Sequence, residues 1–405
     1  MAKDRQPHIG IFGRRNYGKS TLVNRLSGQE IAIVSDVAGT TTDPVKKSFE
    51  ITGFGPVVLI DTAGFDDVGE LGNKRIEKTQ KSIKQVDLAI LLVSDNKLDK
   101  VELDIVASFK DYDVPFIIVF SKSDLSLPNE TFKNELSNLN PKGLLTFNRE
   151  EEVAPLVQLI KDSIPESAYS NPSLLGDVVK HGDIVLLITP IDIEAPEGRL
   201  ILPQVQAIRD VIDNDAVCIV LKEREVDAFL MKTNIKPSLV ITDSQVFLKA
   251  DASIPKDIPL TSFSIMLARF KGDFASYLQG TPVLSKLQDG DRILLLESCT
   301  HHVSCNDIGR SKIPRWISNF TGKQHEYDVV SGFDNLPHPI ESYALVIQCG
   351  GCVISRKQLV NRLKPAIDAN IPVTNYGMAI AYVLGIYNRA VAPFADLEDN
   401  SEDYL

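Results

Sequence analysis

Short apolar runs alternate with amphipathic segments along the N-terminal part of the chain. Four of these runs predict buried strands, because each has the length of a strand and is bounded by polar turn residues. They are Ile9–Phe12, Val57–Ile60, Asp87–Val93 and Phe116–Phe120. Periodic apolar positions predict helices over Thr21–Leu26 and Glu151–Ile164. This alternation predicts an α/β domain with a doubly wound sheet, which we place at residues 1–166.

The alternation resumes after a polar, proline-containing linker at Ser167–Ser173. Further strands are predicted at Asp183–Thr189, Ala216–Leu221, Leu239–Thr242, Arg292–Glu297, Tyr343–Ile347 and Ile371–Thr374. A helix that begins near Leu202 carries Val205, Ile208 and Ile212 on one face. We expect a small α/β domain at 174–259, acting in scaffolding or self-association, and an α/β domain with a parallel sheet at 260–405.

The composition is that of an ordinary globular protein: of its 405 residues, 43% are hydrophobic and 24% are charged. No apolar stretch approaches the roughly 18–20 residues that span a bilayer. Residues Met1–Arg5 lead into a strand without an apolar signal region, so we expect a cytoplasmic location. The net charge of −11 and the lack of a Lys/Arg run disfavour a nucleic-acid partner.

The segment Gly13–Ser20 fits the phosphate-loop pattern G-x-x-x-x-G-K-S between a strand and a helix. Glycines in such a loop let backbone N–H groups surround phosphate oxygens at a helix N-terminus. Lys19 is predicted to contact the outer phosphates, and the Ser20 hydroxyl is predicted to ligate Mg²⁺.

Two further segments extend the predicted Mg²⁺ and γ-phosphate site. Asp61 ends a predicted strand and is the first residue of Asp61-Thr62-Ala63-Gly64. We expect the Asp61 carboxylate to hold Mg²⁺ through water and Gly64 to sense the γ-phosphate. Thr41 lies in the hydroxyl-rich segment Gly39–Asp43, which is of the kind that orders on Mg²⁺ and γ-phosphate.

The segment Ser121-Lys122-Ser123-Asp124 occupies the place where GTPases carry Asn-Lys-x-Asp. A carboxylate at Asp124 accepts two hydrogen bonds from guanine, which favours GTP over ATP. Ser121 replaces the usual Asn and is expected to weaken base binding without changing its selectivity, and Gly143–Asn148 stands where a further loop contacts the base. The predicted nucleotide-binding residues are Asn16, Tyr17, Gly18, Lys19, Ser20, Thr21, Asp61, Gly64, Lys122 and Asp124, with Lys19, Thr41 and Asn16 as catalytic residues.

The chain resembles the potassium-dependent GTPases of the TrmE–Era group at Asn16 and at Gly39-Thr40-Thr41. Phe65 stands where Ras-like enzymes carry the Gln that orients the attacking water. The resemblance implies K⁺ coordination by Asn16 and slow, K⁺-stimulated GTP hydrolysis, and a turn role for Asn16 is the alternative. Candidates for orienting the water are Asp66, Asp67 and Glu70.

Four of the five cysteines fall in the predicted third domain. Cys299 follows one predicted strand and Cys349-Gly350-Gly351-Cys352 follows another, so both leave carboxyl ends of parallel strands, where ligand crevices form. Cys218 lies in an apolar strand and is interpreted as a core residue. In a cytosolic enzyme, this spacing favours metal or redox chemistry over a structural disulfide.

Three interpretations of these cysteines stay open at this point. A thioredoxin-like dithiol leaves Cys299-x-His301 unexplained. A zinc site would use Cys299, His301, Cys349 and Cys352. An iron–sulfur cluster would use three thiolates and a weakly filled or open fourth position. The spacing does not separate zinc from iron–sulfur.

The chain as a whole resembles the HydF family, the GTPase maturases of [FeFe]-hydrogenase. The resemblance rests on His8–Ser20, Ala195–Gln206, Lys271-Gly272-Asp273, Glu297–His302, Asp307–Arg310, Cys349–Cys352 and Thr374-Asn375-Tyr376-Gly377. It implies a GTPase domain, a dimerisation domain and a domain that binds a [4Fe–4S] cluster and carries the diiron precursor to apo-[FeFe]-hydrogenase. It also implies a homodimer whose partners are the radical S-adenosylmethionine maturases HydE and HydG. Three rival classes are a regulatory GTPase with structural zinc, a GTPase of RNA modification or ribosome assembly, and a plain interaction scaffold that needs neither metal nor turnover.

The sequence departs from the family pattern C-x-H, spacer, H-C-x-x-C at one position, because Gln348 replaces the second His. Gln is a poor iron ligand. We therefore predict Cys299, Cys349 and Cys352 as cluster ligands, with His301 or Cys305 as a possible fourth ligand.

Overall fold

The computed structural model describes residues 6–28, 45–61, 78–148, 150, 152–168, 172–190, 200–298 and 308–395. The chain divides into two compact units, at residues 1–171 and 172–405. Among the described residues, no helix has both the length and the apolar character that crossing a bilayer requires.

A six-stranded sheet forms the centre of the first unit, in the order β2-β3-β1-β4-β5-β6. Neighbouring strands are parallel except β2, which runs antiparallel to β3. The strands are β1 His8–Phe12, β2 Val45–Ile51, β3 Gly55–Asp61, β4 Leu88–Val93, β5 Phe116–Ser121 and β6 Gly143–Phe147. The helices with defined bounds are α1 Lys19–Ser27, α2 Lys100–Asp111, α3 Glu130–Asn138 and α4 Ala154–Ser163.

The central strands of this sheet are covered on both faces. Every residue of β1, β4 and β5 is buried, as continuous apolar strands of parallel sheets usually are. Ile90 packs in one hydrophobic core and its neighbour Leu91 in another. The doubly wound arrangement predicted from the sequence is therefore confirmed.

The second unit contains two four-stranded parallel sheets, in the orders β10-β9-β7-β8 and β12-β11-β13-β14. The first has the strands β7 Ile184–Ile188, β8 Val217–Leu221, β9 Leu239–Thr242 and β10 Leu260–Ser262. The second has β11 Arg292–Glu297, β12 Glu326–Ser331, β13 Leu345–Gln348 and β14 Val373–Asn375. The helices are α5 Leu202–Asp213, α6 Val226–Thr233, α7 Phe247–Ser253, α8 Phe263–Lys271, α9 Phe274–Gly280, α10 Ile313–Thr321, α11 Arg356–Asp368, α12 Tyr376–Val383 and α13 Tyr387–Ala395.

The two sheets of the second unit share one hydrophobic core. Leu187 of β7, Met266 of α8 and Leu295 of β11 all belong to it. Strand β10 pairs with β9, so residues 260–262 belong to the first of these sheets and not to the domain that we placed at 260–405. The sequence boundary fell a few residues early because β10 is only three residues long.

Helix α5 exposes two of the three residues of its predicted apolar face. Val205 and Ile212 are 47% and 55% exposed, whereas Asp210 is buried. The Asp210 carboxylate accepts hydrogen bonds from the backbone N–H groups of Leu174 and Leu175, at 2.8 and 2.9 Å. Ile208, the third residue of the predicted face, is half-buried against the core. The inner face of α5 therefore combines the buried Ala207 and Val211 with the hydrogen-bonded Asp210.

Candidate functional site

The first unit carries a phosphate-loop geometry between β1 and α1. Gly18 precedes the helix with a φ of 87°, and no side chain caps the N-terminus of α1. Gly13 is needed because a Cβ there would lie 3.0 Å from the Leu92 carbonyl oxygen. The uncapped first turn of α1 leaves a helix end that suits phosphate oxygens.

Lys19 folds back across the loop. Its Nζ donates to the carbonyl oxygens of Gly13 and Arg14, both at 2.8 Å. These bonds place the ammonium beside the uncapped helix end, where it adds positive charge to the field of the helix dipole. Of the other predicted loop residues, Asn16 adopts a left-handed φ of 64° and is exposed together with Ser20, while Tyr17 is buried and Thr21 is half-buried.

An ion pair that sequence reasoning missed anchors the loop to α2. The Arg14 guanidinium donates to the Glu102 carboxylate at 2.8 Å and to Asp99 at 2.6 Å. Glu102 is 0% exposed, and its hydrogen bond raises the pKa of Arg14 above the ordinary value in spite of burial. Arg14 is therefore held away from the place where phosphates would bind.

Ser121 links the predicted base-binding segment to the phosphate loop. It ends β5, is 4% exposed, and donates from Oγ to the Tyr17 carbonyl oxygen at 2.7 Å. The short hydroxyl thus ties the two segments together at the position where the usual motif has Asn. Lys122 follows with a left-handed φ of 57°, and Asp124 is exposed.

Strand register assembles the remaining described parts of this site. Ile11 pairs with Asp61, so the end of β3 lies beside the start of the phosphate loop. Ser121 pairs with Phe147, so the segment after β6 lies beside the base-binding segment. Residues 143–147 form β6, so within the segment Gly143–Asn148, where we expected a loop against the base, only Asn148 lies outside the strand. Thr41, Gly64, Phe65, Asp66, Asp67 and Glu70 lie outside the described residues.

The second unit carries a cysteine loop at the carboxyl end of β13. Cys349 follows that strand directly, and its N–H donates to the Leu296 carbonyl oxygen of β11 at 2.9 Å. In return the backbone N–H of Ser298 donates to Cys349 Sγ at 3.1 Å. The chain leaving β11 therefore contacts the first thiol of the C-x-x-C motif. Cys299, the next residue, lies outside the described residues, as do His301 and Cys305.

The Ser298 hydroxyl forms the centre of a network around the same sulfur. Its Oγ lies 3.0 Å from a guanidinium nitrogen of Arg362 and 3.1 Å from Gln348 Nε2. Both nitrogens only donate, so Ser298 Oγ accepts from them, and the Cys349 thiol, 3.0 Å away, donates to the same oxygen. The sulfur itself accepts from the Ser298 N–H at 3.1 Å and from Gln348 Nε2 at 3.5 Å, and such N–H donors commonly surround cysteine sulfurs that ligate a metal.

Gln348 belongs to this network as a buried donor. It is 0% exposed, and its Nε2 also donates to the Cys349 carbonyl oxygen at 3.1 Å. Its Oε1 has no hydrogen-bond partner among the described residues. The residue that replaces the family His thus contributes its amide N–H groups to the surroundings of Cys349.

The described thiols do not have the setting of a thioredoxin-like dithiol. Cys349 and Cys352 are half-buried and form no disulfide. Helix α11 begins at Arg356, four residues after Cys352, so the motif does not sit at a helix start as a thioredoxin-like dithiol would. Within the described residues, no three His, Cys, Asp or Glu side chains are grouped so that they could hold a metal ion. Cys218 lies on β8, and burial raises the pKa of its thiol to about 11.

Family models match three segments of the chain. The hydrogen maturase F dimerization domain matches residues 174–272, and the hydrogen maturase F tetramerization domain matches residues 275–393. A model described as a 50S ribosome-binding GTPase matches residues 8–122.

Curated relatives resemble only the N-terminal part. The tRNA modification GTPase MnmE of Chromobacterium violaceum is 41% identical over 120 residues, which cover 29% of this chain and 26% of that protein. MnmE of Aliarcobacter butzleri is 36% identical over 197 residues, which cover 47% of this chain and 39% of that protein. The chain therefore spans less than two fifths of the length of these relatives.

Solved GTPase structures are more distant. The Aquifex aeolicus Era variant Y63A bound to GDP·AlF₄⁻ is 18% identical with a TM-score of 0.35, over 55% of this chain and 97% of that chain. A probable GTP-binding protein engB is 21% identical with a TM-score of 0.31, over 38% of this chain and 97% of that chain.

The two hydrogen maturase F models together match more than half of the 405 residues, and the chain belongs to the hydrogen maturase F family.

Proposed function

We propose that this protein is a GTP hydrolase and an iron–sulfur scaffold in [FeFe]-hydrogenase maturation. Cys299, Cys349 and Cys352 would hold a [4Fe–4S] cluster, and that cluster would supply an iron with an exchangeable position for the diiron precursor. The observation that carries this proposal is the 3.1 Å contact from the Ser298 N–H to Cys349 Sγ. It brings the strand end that precedes Cys299 to the C-x-x-C motif.

Three thiolates suit a carrier better than an electron-transfer site. A fourth thiolate would have to leave before another metal unit could bind to that iron, whereas a weak or exchangeable ligand leaves readily. Gln348 uses its amide nitrogen to hold Ser298 and Cys349, so it stabilises the loop and is not proposed as a ligand. His301 and Cys305 remain the candidates for the fourth position.

Single cysteine variants test the ligand set. We would reconstitute the whole protein anaerobically with iron and sulfide and measure both, together with zinc in the protein as isolated. We expect C299S, C349S and C352S to lose most bound iron and sulfide, and C218S, the matched control, to keep them. Stoichiometric zinc in a colourless wild-type protein, or full iron binding by C349S, would contradict the proposal.

The phosphate-loop unit is proposed to bind GTP with Mg²⁺ and to hydrolyse it slowly, with stimulation by K⁺. The support is the uncapped N-terminus of α1, the Lys19 ammonium beside it and the segment from Ser121 to Asp124. Hydrolysis would act as a conformational or partner-release signal. We expect Lys19→Ala to abolish hydrolysis while iron binding stays intact, and loss of both would refute this modular arrangement.

A homodimer is proposed to form through strand β8 and helix α5. In the described part of the chain, β8 is an edge of its sheet and exposes Val217 and Val220 at 50% and 40%. Helix α5 adds Val205 and Ile212 to the exposed apolar surface. An uncharged, proline-free edge strand readily pairs with another strand, and a two-fold axis would pair β8 with the β8 of a second copy.

Light scattering after size exclusion tests this surface. We expect Val220→Lys to lower the molecular mass, because a charge on the paired strand would be buried in the dimer. Leu248→Lys is the control, since Leu248 is 56% exposed on α7 of the same unit. An unchanged mass for Val220→Lys would refute β8 as the contact.

The proposed partners are HydE, HydG and apo-[FeFe]-hydrogenase, and the proposed location is the cytoplasm. Support comes from the family, whose printed name is hydrogen maturase F, and from thiols that form no disulfide among the described residues. The tRNA modification named for the MnmE relatives is not proposed for this chain, because the hydrogen maturase F models match residues 174–272 and 275–393, which lie in its C-terminal part.

A further inference from the structure

A buried lysine lies behind the cysteine loop. Lys271 is the last residue of α8 and is 2% exposed. Its Nζ donates to the carbonyl oxygens of Ile354 at 2.9 Å, Gly351 at 3.2 Å and Cys352 at 3.4 Å. An ammonium is costly to bury unless its protons are hydrogen-bonded, and these three oxygens contribute to stabilising the buried position.

The same contacts fix the direction of the loop carbonyls. Where the loop leaves β13, the Cys349 carbonyl oxygen accepts from Gln348 Nε2, and the Gln348 carbonyl oxygen accepts from Asn375 at 3.3 Å. These carbonyl oxygens thus all accept hydrogen bonds from side chains of the protein. This matters because a carbonyl dipole aimed at an anionic sulfur would repel it.

Helix α8 holds the lysine rigidly against the loop. A Cβ on Gly350 would lie 3.7 Å from Ser264 Oγ and 3.9 Å from Leu267 Cδ1, both on α8. Ser262, the last residue of β10, is the N-cap of this helix, and its Oγ accepts from the Ile265 N–H. A single nine-residue helix therefore connects the sheet matched by the dimerization model with the C-x-x-C loop.

We propose that Lys271 is a positioning residue for the cluster, which orders the loop around Cys349 and Cys352 and supplies a fixed positive charge behind it. This inference rests on the proposed function. A [4Fe–4S] cluster on three thiolates is anionic, and it becomes more anionic when it accepts an electron. A buried positive charge favours the more anionic state of the cluster, because the low dielectric of the protein interior screens the attraction between them only weakly.

Two variants separate charge from geometry. Lys271→Met removes both the donors and the charge with little change in shape, whereas Lys271→Gln removes the charge and keeps amide donors. We expect reduction of the cluster, titrated with dithionite in the presence of mediators, to become at least tenfold less favourable in both variants. For a one-electron couple this is a potential lower by about 59 mV. If Lys271→Met does not fold, Lys271→Gln carries the test.

The apo-protein provides a readout that needs no cluster. We expect Cys349 and Cys352 to react with a maleimide at least threefold faster in Lys271→Met, by peptide mass spectrometry, because the released loop opens. Cys218 on β8 should react at the wild-type rate.

Arg389 offers a matched control cation in the same unit. Its guanidinium donates to the carbonyl oxygens of Ile254, Pro255 and Ile258, and also to Asp251. We expect Arg389→Met to lower thermal stability while leaving the cluster potential and the labelling of Cys349 unchanged.

The two proposals fail in different ways. A wild-type protein that takes up no iron would refute the cluster function, and the labelling experiment would still test Lys271. A wild-type protein that binds a cluster, with variants that match it in both potential and labelling rate, would overturn the role of Lys271.

Discussion

Replacing Ser121 by Ala should weaken nucleotide binding without disturbing the sheet. The Oγ of Ser121 is the donor that holds the Tyr17 carbonyl of the phosphate loop at 2.7 Å, and the residue is 4% exposed. Removing the hydroxyl leaves a buried carbonyl oxygen without this donor. Such a loss costs about 1–3 kcal/mol in general.

We expect about 1–2 kcal/mol of this cost in nucleotide affinity, since the carbonyl belongs to the loop that must hold the phosphates. This corresponds to a Kd that rises about 5- to 30-fold. Fluorescence titration with a methylanthraniloyl derivative of GDP measures Kd, and displacement by excess GDP gives the dissociation rate.

Two further variants, one that restores a donor and one control, help to explain the result. Ser121→Asn restores a donor and the side chain of the usual motif, so we expect affinity equal to or above that of the wild type. Ser137→Ala is the control, because the Ser137 hydroxyl also donates to a carbonyl oxygen, at 2.8 Å, but on the exposed surface of α3. A Kd for Ser121→Ala within twofold of the wild type would refute the link between the two segments.

Three other predictions concern the same unit. Asp124→Asn should lower the affinity for GTP at least 100-fold and raise the affinity for XTP. The reason is the loss of two hydrogen bonds to a charged group, worth about 1.5–3 kcal/mol each. Unchanged GTP binding would exclude guanine recognition by Asp124. Asn16→Ala should abolish the K⁺ stimulation of hydrolysis while GDP still binds, and equal wild-type turnover in KCl and NaCl would remove the K⁺ proposal. Glu102→Gln should lower the free energy of unfolding of the first unit by about 2–3 kcal/mol, since the buried partner of Arg14 loses its charge, whereas Asp99→Asn, at an exposed partner, should lower it less. Denaturant titration of both variants checks this last comparison.

Local sequence patterns predicted the parts of the molecule that depend on neighbouring residues. The phosphate loop was predictable because its chemistry requires glycines, Lys19 and Ser20 at fixed spacing between a strand and a helix. Strands such as β4 and β5 were predictable because both faces are buried and the runs are continuously apolar. The strand β12 was missed, because Glu326–Ser331 mixes charged and apolar residues at a sheet edge.

Contacts between distant residues were not predictable from one sequence. Ser121 and Tyr17 are 104 positions apart, and Arg14 and Glu102 are 88 apart. Nothing in the pattern of α2 shows that Glu102 is buried, since an acidic residue in a first helical turn is normally solvated. The role of Lys271 likewise follows only from the fold, which places the end of α8 behind a loop about 80 residues later.

The central claim is that two separate chain segments bind one iron–sulfur cluster at the carboxyl edge of β11 and β13. The most direct measurement is a crystal structure of the anaerobically reconstituted protein, with anomalous diffraction collected on both sides of the iron absorption edge. We predict iron within bonding distance of the sulfurs of Cys299, Cys349 and Cys352, beside the Ser298 N–H. Iron at another place, or a single tetrahedral zinc ion at this edge, would contradict the account.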